Sequence, residues 1–242
     1  MGLKEINEQR KSEISFTTVE LASGKKIGIK PWKVKEEKEL LFAIEGVENE
    51  SDGKKEIVKF IRNCVDDVKL FDTLSNTDYI HLLSHLRRLS KGSKIEYVYK
   101  CDKCGFELSD DVDITKHIKV KLFKKEPIHI SDNIIFSIKE VPFVKQEQLS
   151  EKYQKTTEYN FNYIVNSIES LVYNGEVIEN FNEKDIIDFL DTLDSDELKV
   201  LSKGIDEASA VVTMEKKLKC GVCKHENDVQ FGDLYSFLAF AS

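Results

Sequence analysis

Two stretches of this chain, YVYKCDKCGFEL from Tyr97 to Leu108 and KLKCGVCKHEND from Lys217 to Asp228, each hold two cysteines three positions apart. Four of the five cysteines thus fall into two matched pairs, a spacing that cysteine used only as a small buried hydrophobe would not produce. Two thiolates from each of two β-turn knuckles would complete the tetrahedral, sulfur-rich shell that Zn²⁺ prefers. Cys101, Cys104, Cys220 and Cys223 are therefore the candidate metal ligands, for one structural zinc per chain. Four thiolates close the shell and leave no position for an activated water, so catalysis at the metal is not expected.

Two features strain that reading. A compact zinc ribbon has roughly 12 to 20 residues between its pairs, whereas 115 lie between Cys104 and Cys220. Either the pairs meet around an inserted subdomain or they serve separate purposes. The second knuckle also has Lys224 where the first has Gly105, and carries its glycine inside the pair as Gly221. A redox Cys-x-x-Cys is the further alternative, although such centres sit at a helix N-terminus after a buried strand, and neither stretch reads that way. Cys64, on an apolar helix face, is expected to be inert.

The remaining polar residues offer less. His81 and His85 are four apart on a predicted helix but lack the glutamate of the metalloprotease pattern, so they read as surface or core. His225 could replace a ligand, though four cysteines suffice. Residues 176 to 207 hold eleven acids against Lys184, Lys199 and Lys203, an excess equal to the net charge of −8 of the whole chain. That segment is a solvated face or a patch for a basic protein partner. Lys116, Lys119, Lys121, Lys124 and Lys125 are placed on one strand, where alternating lysines protect an edge. There is no phosphate-cradling glycine loop and no nucleophile elbow, so an enzyme is not expected.

The elements that must position the cysteines can be read from periodicity. Residues 14 to 30 alternate about Ser23-Gly24 as a hairpin. Helices are predicted from Lys33 to about Glu48 and around Ile57 to Cys64, with ENESDGK as the loop between them. A third helix runs through SNTDYIHLLSHLRRLSKG and stops at Gly92. Strands are predicted at 94 to 100 and after Gly105, with a hairpin in IHISDNIIFSIKEVPF. A helix is predicted over 144 to 172, then a hairpin at Asn174-Gly175. One or two acidic helices begin at the Asn182 cap and break near Asp194-Ser195, and a final β-like run carries the second pair. The apolar tail LYSFLAFAS would pack on the core or enter a partner's groove.

The predicted fold is α+β: helical segments with short antiparallel hairpins, tied by a split zinc-ribbon-like four-cysteine site whose knuckles flank an inserted α/β subdomain. The predicted domains are 1–93, a ribbon-like module of 94–123 and 212–242, and an inserted 124–211. With 242 residues a core forms without staples. The negative charge disfavours nucleic acid or anionic lipid, and no apolar run is long enough to span a membrane.

In order along the chain, IGIKPWKVKEEKELL, SHLRRLSKGSKIEYVYKCDKCG, KLKCGVCKHENDVQF and FGDLYSFLAF resemble the T4 bacteriophage baseplate protein family. The resemblance implies a structural or morphogenetic phage tail protein working in the host bacterial cytoplasm, where the baseplate hub is built. Its partners would be other phage tail proteins of the hub or tape measure. Retention in the virion tail baseplate, copy number and oligomeric state are left open by it. The rival from another class is a zinc-ribbon nucleic-acid-binding regulatory factor, supported by Tyr97, Tyr99, Phe106 and nearby lysines and opposed by the net charge.

Overall fold

The computed structural model describes residues 15–45 and 50–230. The apolar tail singled out above lies outside them. The protein mixes helix and sheet, and its chain divides into two compact units: one runs up to Phe71, takes Asp78–Val120 and resumes at Val212, while the other takes Asp72–Thr77 and Lys121–Val211.

The first unit opens with the antiparallel hairpin β1 (Thr17–Glu20) and β2 (Lys26–Ile29), turned at Gly24 with φ +85°. Val19, Ile27 and Ile29 of the hairpin are buried, and three main helices follow it in this unit. These are α1 (Val34–Glu45), α2 (Glu50–Arg62) and α4 (Asn76–Lys91), with the single turn α3 (Val68–Phe71) between the last two. Helix α2 starts at Glu50, so ENESDGK is not a free loop: most of it is the first turns of the helix. Trp32 meets Phe60 with ring centroids 5.6 Å apart, and Tyr79, Leu82, Leu83 and Leu86 present the fully buried stripe of α4. The buried carboxylate of Asp78 accepts hydrogen bonds from the backbone N–H and hydroxyl of Ser23, at 2.9 and 2.7 Å, which fastens the hairpin turn to α4. Helix α4 ends at Gly92, φ +90°.

Two further sheets complete this unit. Strands β3 (Lys94–Lys100) and β4 (Glu107–Asp113) form an antiparallel ribbon. The short helix α5 (Ile114–His117), capped by Asp113, leads into β5 (Ile118–Lys121). A three-stranded sheet has the order β11-β10-β5, with β10 spanning Val211–Lys219 and β11 Glu226–Gln230. The five lysines do not share one strand: Lys116 lies in α5, Lys119 and Lys121 on β5, and Lys124 and Lys125 beyond it. The cap at Asp113 wins over strand pairing there because its carboxylate takes the Thr115 N–H.

The second unit is a sheet of order β6-β7-β8-β9, all antiparallel, with β6 at Ile128–Ser131, β7 at Ile134–Ile138, β8 at Ile168–Tyr173 and β9 at Glu176–Ile178. Helices α6 (Phe143–Lys152), α7 (Thr156–Ser167), α8 (Glu183–Leu190) and α9 (Ser195–Ala208) belong to it. Phe136, Ile138, Ile168 and Leu171 of the sheet pack with Ile164, Ile186, Leu190, Leu201 and Ile205 of the helices in one core. The single helix predicted over 144 to 172 is two helices and a strand. Ile168 and Leu171 fit a helical stripe, but IESLVY is claimed by pairing on both sides, with β7 and β9. The turn at Asn174-Gly175 has both residues at positive φ, 51° and 85°, as a tight hairpin requires. Capping boxes start α8 at Asn182 with Asp185 and α9 at Asp194 with Glu197, which is why the acidic stretch breaks into two helices.

Candidate metal centre

Each cysteine pair sits in a loop of the same length at the end of an antiparallel pair. The last ladder partners are Lys100 and Glu107 in the first case, Lys219 and Glu226 in the second, enclosing 101–106 and 220–225. Inside each loop the same two backbone bonds recur. Cys101 N–H donates to the Phe106 carbonyl at 2.9 Å and Gly105 N–H to the Cys101 carbonyl at 2.8 Å; Cys220 N–H donates to His225 at 2.8 Å and Lys224 N–H to Cys220 at 3.0 Å. The two loops are therefore near copies, built from unrelated residues apart from the cysteines.

The second loop keeps the turn with a different residue. The left-handed residue after the second cysteine is Gly105 at φ +69° in the first knuckle and Lys224 at φ +62° in the second. Gly221 does not take over that role; it has no positive φ. Lys224 holds the strained conformation with its ammonium donating to the Gly221 carbonyl at 2.8 Å.

Across the 115 intervening residues the two loops meet. The Sγ atoms of Cys101, Cys104, Cys220 and Cys223 all lie within 4.8 Å of one another, Cys101 to Cys223 at 3.6 Å and Cys104 to Cys220 at 3.8 Å. Among the described residues this is the group of metal-ligating side chains close enough to hold an ion, and His225 is not in it. Cys101 and Cys220 are buried, Cys223 is half-buried and Cys104 is exposed, so the cluster has a dry floor and an open lip.

The cluster also favours negative charge. Burial works against ionising Cys101, but backbone N–H groups of Cys104 and Lys103 and the thiols of Cys223 and Cys104 outweigh it and bring this thiol down to about 6. Cys220 is lowered in the same way, by the N–H groups of Cys223 and Val222 against burial. For Cys104 the N–H of Phe106 pulls downward, yet burial and the three neighbouring sulfurs prevail and push it up to about 12. Two thiols lowered at the floor beside Cys104 raised at the lip make a pattern that a metal cation, by displacing the remaining protons, would complete. Cys64 is different: it lies in the turn after α2, is buried, and is pushed up to about 12 chiefly by burial.

His81 and His85 are half-buried on α4 with ring centroids 4.8 Å apart, and no third ligand joins them among the described residues. The acids of 176–207 lie mostly on exposed faces of β9, α8 and α9.

A model of the family described as T4 bacteriophage base plate protein matches residues 13–239. The chain belongs to the T4 bacteriophage base plate protein family. No curated protein and no solved structure matches it. The match runs through both units and both knuckles, so the four-cysteine cluster lies inside the baseplate family's own span. A baseplate protein of this family is a structural component of a phage tail and interacts with other tail proteins. No helix among the described residues is long and apolar enough to cross a membrane.

Proposed function

We propose that this baseplate-family protein is a non-enzymatic structural component or assembly factor of the baseplate hub, acting by protein-protein binding on a zinc-stabilised scaffold. It works in the host bacterial cytoplasm, where hubs are assembled, on partners that are hub or tape-measure proteins. Residues 94–123 and 212–242 make the zinc-ribbon-like module and 124–211 the inserted subdomain. Cys101, Cys104, Cys220 and Cys223 hold one Zn²⁺ as a closed structural site.

The observation that carries the metal assignment is the sulfur spacing. A tetrahedron with metal–sulfur arms of about 2.3 Å has edges of about 3.8 Å; two of the cross-knuckle separations are 3.6 and 3.8 Å, and all four sulfurs lie within 4.8 Å of one another. Against the nucleic-acid reading, several lysines near the knuckles already face carboxylates: Lys216 meets Asp110 at 3.1 Å, Lys217 meets Asp228 at 3.8 Å, and Lys119 meets Glu215.

Two experiments test the proposal. Elemental mass spectrometry of protein purified without a metal-affinity column is expected to find about one zinc per chain, lost in Cys220→Ser; a metal-free wild type with four titratable thiols would sink the centre. Infection by a phage with a stop codon at Cys101 is expected to yield heads without finished tails, rescued by the intact chain in trans. Normal tails from that infection would remove the hub role.

A further inference from the structure

Asn227 stands where the two knuckles meet. It lies on β11 opposite Leu218 of β10 and is only 1% exposed. Its side-chain oxygen accepts the backbone N–H of Asp102 at 2.9 Å, while its amide nitrogen donates to the carbonyls of Leu218 at 3.2 Å and His225 at 3.3 Å. Asp102 directly follows the first thiol of the other knuckle. One buried amide therefore joins the backbone of the second loop to that of the first, across a separation in sequence of 125.

The near-twofold relation between the loops makes the placement meaningful. Counted from the first cysteine of each knuckle, Asn227 and Leu108 are corresponding residues, and so are Asp102 and Gly221. Asn227 reaches Asp102, and Leu108 lies over Gly221, its Cδ2 4.0 Å from where a Cβ on that glycine would stand. Each knuckle thus touches the start of the other with the corresponding residue, one contact polar and directional, the other apolar. Only the polar one fixes register, because a hydrogen bond fails when its partners slide whereas apolar packing tolerates it.

We infer that Asn227 is the positioning residue of the four-cysteine centre: it holds the first knuckle in register against the second, so that the four sulfurs converge before the metal arrives. This rests on the metal-centre reading above. Removing the amide leaves two loops that must be ordered by the ion itself, and loss of a hydrogen bond of this outer kind typically costs 10- to 100-fold in metal affinity.

The test titrates the full-length protein, stripped of metal by a chelator under reducing conditions, with Co²⁺ followed by its absorption and with Zn²⁺ against a chelating dye. Asn227→Ala is expected to keep one Co²⁺ per chain and the tetrahedral thiolate spectrum while losing zinc affinity by about 10- to 100-fold. Ile61→Val, a core change in the same unit away from the knuckles, is expected to lower the melting temperature yet leave affinity within about twofold. Should Asn227→Ala not fold, Asn227→Leu keeps the bulk but removes the oxygen that accepts the Asp102 N–H, and is expected to show the same loss. Wild-type-like affinity in an Asn227 variant would overturn the inference, as would an equal loss in Ile61→Val. A wild type that takes up neither metal would overturn the centre itself, and the inference with it.

Discussion

At the scale of single residues, the two knuckles differ most at the left-handed position. A side chain in that conformation costs roughly 1–2 kcal/mol, partly offset by the greater chain entropy a glycine would lose on folding. Lys224→Gly is accordingly expected to stabilise the protein by about 0.5–1 kcal/mol in urea unfolding, and Gly105→Ala to destabilise it by about 1 kcal/mol. An unchanged midpoint for both would mean that the loops relax at no cost. His85 supplies a pH dependence. Burial, the charge of the adjacent His81 and the nearby Arg88 lower it to about 4 against an ordinary 6.5, the Glu20 carbonyl pulling the other way. His81 is lowered too, by burial first, with Asp78 opposing and Arg88 assisting. Between those pH values the unfolded chain binds more protons than the folded one, so stability falls as pH drops from about 6.5 toward 4. Melting temperatures across that window should show the loss, and His85→Gln should flatten the slope; an identical slope in the variant would place its origin elsewhere.

At the scale of elements, Gly204 in the middle of α9 sets how closely that helix lies on the sheet. A Cβ there would stand 2.7 to 2.9 Å from three side-chain atoms of the buried Ile128 on β6. In an exposed helix, alanine would gain about 1 kcal/mol over glycine. Here overpacking of about 1–3 kcal/mol outweighs the gain, and Gly204→Ala is expected to lower the denaturation midpoint, whereas Gly204→Ala combined with Ile128→Val recovers part of it. A midpoint raised by the single change would show the helix free to lift. The same close packing explains why a glycine is tolerated in an interior that its capping box and apolar stripe otherwise define well.

At the scale of the whole molecule, the proposed metal joins residues 101–104 to 220–223 and so closes a loop of more than a hundred residues. By the loop-closure arithmetic of cross-links, such a tie is worth about 5 kcal/mol against the unfolded chain. Chelation under reducing conditions is expected to lower the melting temperature by roughly 10 °C, restored by zinc and not by magnesium, which thiolates do not favour. An unmoved transition would leave the cluster without a tying role. The phage infection test belongs to this scale as well, since assembly is a property of the folded chain among its partners.

Much of this was legible in the residues. The hairpin at Ser23-Gly24, the stop at Gly92, the Asn174-Gly175 turn and the caps at Asn182 and Asp194 are local events, set by backbone sterics and by side chains bonding a few positions away. The two Cys-x-x-Cys turns are local in the same way, each closed by backbone bonds within its own loop. Tertiary structure alone decided the rest. Residues 168–173 became a strand because β7 and β9 flank them, Lys224 took the turn position that looked vacant of glycine, and Asn227 found its partner 125 positions away. Periodicity within one segment carries no information about which distant segment it will meet, and it was the meeting of two hairpins, each closed locally, that brought Cys101, Cys104, Cys220 and Cys223 to one point.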